Sequence, residues 1–170
     1  MTEKKGRGRP KGAPNKPKLE LITKREVLPK DADVYEILCQ AEIVATVDAD
    51  LAAQGLKVFN ERNGAVKPTL QWAFDDNITS KLPIGETPYK GDDAPSSDLA
   101  VTSLRFEYRL FKYFVTEQVS AVKREQMWIG MLEGIPLMEA KLIDLVKDGV
   151  WPFKNITKEI VQKAFPEVIK

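Results

Sequence analysis

Histidine is absent from the 170 residues, and cysteine occurs once, at Cys39. The first absence removes the usual general base near neutral pH and the commonest transition-metal ligand. The second excludes an intrachain disulfide and any thiolate zinc cluster. Carboxylates on a hard cation such as magnesium are the metal chemistry that remains. Asp75-Asp76 and Asp92-Asp93 are the candidate pairs, but no further ligand completes a set, and acidic loop residues or helix caps explain them better. No apolar run approaches the roughly 18–20 residues that span a bilayer. Gly and Pro follow the basic N-terminus where a signal peptide would place its apolar segment. The expectation is a cytoplasmic protein with no cofactor, no metal and no membrane partner. With no catalytic constellation in view, it is not expected to be an enzyme.

What the chain does have is an uneven charge. Residues 1–30 hold ten Lys/Arg against three acids, a balance of +7, and the remainder holds 16 basic and 22 acidic residues, a balance of −6. A basic arm on an acidic body suggests a polyanionic partner for the arm alone. From Met1 to Lys18, Gly6, Gly8, Gly12, Pro10, Pro14 and Pro17 interrupt any helix, so a disordered arm is expected over 1–18. A connector follows over 19–30, and residues 31–170 are long enough for one domain with a hydrophobic core.

Within that body the apolar residues recur at helical spacing and no strand alternation stands out. Asp31 or Asp33 caps a helix carrying Val34, Ile37, Leu38 and Ala41. A second stretch runs from about Asp48 to Arg62 and stops at Asn63-Gly64. Pro68 opens a short third helix. A long Pro-rich loop is expected from Asp75 to Asp98. Ser97 or Asp98 then caps the clearest helix, through about Glu117, with Val101, Leu104, Tyr108, Phe111 and Val115 as its buried stripe. Ser120 opens the next, Gly134 ends it, and Pro136 suits the first turn of a following helix closed by Gly149. A last helix runs from about Thr157 to Phe165. The fold class is therefore all-α, a small domain of about six to seven helices. Trp72, Trp128 and Trp151 read as core, Cys39 as an inert small hydrophobe, and Lys123-Arg124 as a solvated helix face.

The sharpest chemistry lies in Lys5-Gly6-Arg7-Gly8-Arg9-Pro10-Lys11-Gly12. Gly8 lets the backbone approach a groove floor, and Pro10 biases Arg9 toward an extended conformation. A·T tracts have a narrow, strongly negative minor groove that attracts inserted arginines. Residues 5–12 resemble an AT-hook, the minor-groove element of many chromatin and regulatory proteins. That resemblance implies that Arg7 and Arg9 enter the groove, that Gly8 and Pro10 shape the arm, and that A·T-rich double-stranded DNA is the partner. Lys5, Lys11, Lys16 and Lys18 would sit over flanking phosphates. The alternative is a nonspecific electrostatic tail.

A second resemblance covers about Leu70 to Ile169. Ala73-Phe74-Asp75, Leu82-Pro83-Ile84-Gly85, Pro88-Tyr89-Lys90, Lys123-Arg124-Glu125, Leu132-Glu133-Gly134 and Ala164-Phe165-Pro166 are similar to segments of an uncharacterised family of small proteins from T4-like tailed bacteriophages. It implies a phage origin, hence a host bacterial cytoplasm, and supplies no activity. The stiff strip from Leu82 to Lys90 has two readings. Ile84 and Tyr89 either project as anchors for a protein partner, or strap the loop across the core. The expected function is a DNA-binding accessory protein whose helical body binds another protein or itself.

Overall fold

The computed structural model describes Leu19, Leu21, Ile22, residues 27–89 and residues 100–169. The arm, residues 1–18, lies outside the described residues, as do Lys90 and the Asp92-Asp93 pair. Eight α-helical segments and one 3-10 turn occur among the described residues, and no strand. They are α1 (Val34–Ala45), α2 (Ala49–Arg62), α3 (Val66–Phe74), α4 (Leu104–Glu107), a 3-10 turn (Tyr108–Leu110), α5 (Phe111–Phe114), α6 (Ala121–Gly134), α7 (Leu137–Lys147) and α8 (Lys158–Ala164). α4, the 3-10 turn and α5 run on without a gap, so seven helical stretches result and the all-α expectation holds.

Local chemistry starts and stops most of them. Asp33 and Glu36 form a capping box, the Asp33 carboxylate accepting the Glu36 N–H at 2.8 Å and the Glu36 carboxylate accepting the Asp33 N–H at 3.0 Å. Asp48 caps α2 by accepting from Asp50 and Leu51. The third helix begins two residues before Pro68, whose missing N–H falls in the first turn, where it would have no helical partner. Gly149, at φ +72°, closes α7: its N–H donates to Val146 O and that of Val150 to Leu145 O, satisfying the last carbonyls.

α1 packs on α2, α2 on α8, and α7 lies against α1, α3 and α6. At the centre, Trp72 meets Phe111 edge-on at 5.1 Å, and Phe114 meets Trp128 at 5.0 Å. Trp151 is half-buried between Phe74 and Phe153. Cys39 is buried, as expected of a small hydrophobe.

The stretch expected to be the clearest helix is the least regular one. It starts at Leu104 rather than after Ser97 or Asp98, and Val101 is 89% exposed instead of buried. Ser103 makes no side-chain cap; the Leu104 N–H is instead taken by the carboxylate of Glu139 at 3.1 Å. The helix ends at Phe114, short of Glu117, because its last carbonyls are claimed from outside. Phe114 O accepts the Lys81 N–H at 2.8 Å and Tyr113 O accepts from Arg124 at 3.0 Å.

Candidate functional site

The residues of the basic motif (Lys5, Arg7, Gly8, Arg9, Pro10, Lys11, Lys16 and Lys18) lie outside the described residues. The best-defined surface feature elsewhere is the strip that leads from Lys81 to Tyr89. Its proline-rich backbone cannot form a helix, so its polar groups need partners from another element. α7 supplies them. The buried ammonium of Lys147 donates to Pro83 O and Gly85 O, each at 2.8 Å, and to Asp148 at 2.6 Å. Asp148 in return accepts the Gly85 N–H at 3.2 Å.

Asp144, one turn before Asp148, holds the far end of the strip. It accepts the Thr87 N–H at 3.1 Å and the Thr87 hydroxyl, and that hydroxyl accepts the Trp128 indole N–H at 2.9 Å. The Lys147 ammonium is 3.8 Å from Asp144. One cation, two carboxylates and an indole thus tie five polar groups of an extended segment to the face of α7 and α6. Arg124 anchors the near end, donating to Lys81 O at 3.4 Å, as well as to Tyr113 O and Val119 O. It is buried, so the reading of Lys123-Arg124 as a solvated face holds for Lys123 only.

The two interaction candidates are treated differently by this clamp. Ile84 stands 93% exposed at the turn between the Lys147-bound carbonyls. Tyr89 is half-buried and packed against the core. Burial, with Asp144 and Glu86 adding their negative charge, pushes its phenol up to about 12. Tyr89 therefore straps the strip down, and Ile84 projects from it.

A second concave feature, of about 440 Å³, opens where the N-terminal ends of α1, α4 and α7 converge, lined by Asp31, Asp33, Glu36, Ser103, Arg105 and Pro136. Two of its three acids, Asp33 and Glu36, are already engaged. Asp33 and Glu36 cap α1, while Glu139 beneath them accepts the N–H groups of both Val34 and Leu104. Among the described residues no group of three or more acids or thiols is placed to hold a metal ion. Asp75 caps a local turn through Asn77, and Asp76 pairs with Lys158. Asp75 thus organises local backbone, and Asp76 takes part in a surface ion pair.

Sequence reasoning missed Lys147, Asp144, Arg124 and Glu139. A lysine or glutamate at helical spacing carries no local sign of burial. The one available signal was the polar backbone of a proline-rich strip, which had to find partners somewhere.

Residues 45–151, more than half of the chain, match a protein family described only as a family of unknown function, DUF6433. The match takes in the end of α1, the clamped strip and all of α7, and leaves the basic arm and α8 outside. No curated protein and no solved structure matches the chain.

Proposed function

Since the chain belongs to this family of unknown function, we propose a role from its own residues: a DNA-binding accessory protein. Its arm enters the minor groove of A·T-rich duplex, and its helical body binds a protein partner or a second copy. The observation that carries this is the segregation of charge, +7 within residues 1–30 and −6 in the rest, around the Arg7-Gly8-Arg9-Pro10 core. Arg7 and Arg9 insert, Gly8 and Pro10 shape the backbone, and Lys5, Lys11, Lys16 and Lys18 meet phosphates. The acidic body is repelled by DNA and leaves the arm as the contact. In the setting that the phage resemblance implies, such a protein serves transcription control, host takeover, or genome organisation or packaging in the host cytoplasm. No step of this role asks for a cofactor or for catalysis.

About five phosphate contacts give a salt slope of roughly −4 to −5, so one arm binds weakly at cellular salt. Useful affinity needs a second arm or a second contact. A gel-shift titration with A·T-rich and G·C-rich duplexes of equal length tests the reading. The A·T-rich duplex should bind more tightly, and Arg7→Ala with Arg9→Ala should abolish the preference while leaving the helical circular dichroism unchanged. Equal binding to both duplexes would reject the minor-groove reading.

A second reading is favoured by the clamp on Gly85. Holding Ile84 in solvent on a rigid turn suits a protein-interaction module, for which the arm is only an electrostatic tail. Equal binding to both duplexes, together with loss of partner capture in Ile84→Asp, would support this reading instead.

A further inference from the structure

A groove of about 330 Å³ runs along the outer side of the α1–α2 pair. Ile37, Ala41 and Val44 of α1 line it with Leu51, Gly55 and Val58 of α2. Its remaining lining residues are alanine, leucine, phenylalanine and glutamine, so no charged side chain enters it. Leu51 is 47% exposed, Val58 51%, and Val47 at the turn between the helices 87%. A charge-depleted apolar patch with charges only around it is the anatomy of an interface core. A highly charged duplex does not fit such a surface, and neither does the basic arm.

We infer that this groove is a self-association site, filled by α2 of a second copy running antiparallel across it at Gly55. Two observations support that occupant, one that admits a helix and one that selects this helix. The first is the opening at Gly55, where a Cβ would meet nothing within 4 Å, so another helix can approach its backbone closely. The second is charge. α2 carries Asp48 at its N-cap and Arg62 in its last turn, both exposed and each seven residues from Gly55. A two-fold axis at Gly55 therefore sets Asp48 of each protomer beside Arg62 of the other, and Leu51 of each beside Phe59 of the other. The same crossing opposes the two helix dipoles favourably. A parallel crossing would align like charges and lose both benefits. Two helical pairs joined this way make a four-helix arrangement, in which the exposed Leu51 and Val58 fill the facing groove.

The pairing is independent of any DNA contact. Its consequence for the arm rests on the proposed function: two arms on one particle convert the second contact into an intramolecular event.

Sedimentation of the full chain, free of DNA, at concentrations up to about 100 µM reads the pairing directly. A two-chain species is expected, and Val58→Asp should weaken it at least tenfold, a roughly 1.4 kcal/mol effect. Circular dichroism checks that this exposed position leaves the fold intact. Gly55→Cys tests the geometry, because it should form a disulfide-linked dimer on mild oxidation, whereas the native chain, with Cys39 buried, should not. A single-chain species throughout the range overturns the inference. So does a two-chain species that is indifferent to Val58→Asp and does not cross-link through Gly55→Cys. A dimer that shows no A·T preference upholds the pairing and rejects the DNA reading, and a monomer with that preference does the reverse.

Discussion

The carboxylate of Glu139, fully buried in the first turn of α7, accepts the N–H of Val34 at 3.1 Å across 105 positions of sequence. Its other oxygen accepts the Leu104 N–H at the same distance. One side chain thereby satisfies the first turns of two other helices. Glu139→Ala leaves two buried donors without partners and should cost about 2–5 kcal/mol. Urea denaturation measures it, and an unmoved midpoint would mean that water replaces the carboxylate without penalty.

The same residue makes stability depend on pH. Burial pushes Glu139 from 4.5 up to about 8; the charge of Asp33 adds to this, and the two N–H donors oppose it. Burial likewise raises Asp33 from 3.8 to about 6. Both groups hold a proton more tightly in the folded chain than in the unfolded one. Their contribution is therefore complete below about pH 4 and is lost as pH rises, through about 6 for Asp33 and about 8 for Glu139. Unfolding free energy should fall between about pH 5 and pH 9, and Glu139→Gln should flatten the upper part of that fall. A rise over this interval would contradict the assignment.

Lys147→Met should release the strip. It removes the donor shared by Pro83 O and Gly85 O and leaves Asp144 and Asp148 without their buried cation. Breaking a buried charge pair on one side costs about 3–5 kcal/mol. Hydrogen exchange should quicken at the Gly85 and Thr87 amides, whose acceptors are those two aspartates. Unchanged protection there would show that Asp144 and Asp148 hold the Gly85 and Thr87 amides without the Lys147 cation.

The irregular stretch from Leu104 to Phe114 separates buried from exposed positions sharply. Leu104→Ala and Phe111→Ala each remove a core side chain and should cost about 2–5 kcal/mol. Val101→Ala, at a position that helical spacing alone would place in the core, should stay within about 0.5 kcal/mol. Thermal melting of the three variants checks the contrast, and a large loss at Val101 would restore the longer helix.

The start of α1, both ends of α2, the start of α6 and the end of α7 are readable because each depends on neighbours a few residues away. Asp33 sits three before Glu36, Ser120 three before Lys123, and Gly149 next to the end of α7. Where the pattern failed, between Val101 and Glu117, the deciding partners came from Lys81, Arg124 and Glu139. A stripe at helical spacing states that a helix is affordable locally, but not whether its terminal carbonyls will be taken by another segment.

The sequence by itself determined the helical class, most helix ends, the aromatic core and the separation of a basic arm from an acidic body. Each of these follows from short-range sterics, from hydrophobic periodicity or from composition. Only the tertiary structure decided which ionisable groups are buried. Lys147, Arg124 and Glu139 look like ordinary surface residues until Pro83, Tyr113 and Val34 bring them backbone partners from distant segments. A charged group can leave water only where its hydrogen bonds are remade, and that condition is met by the assembled fold rather than by any local stretch of chain.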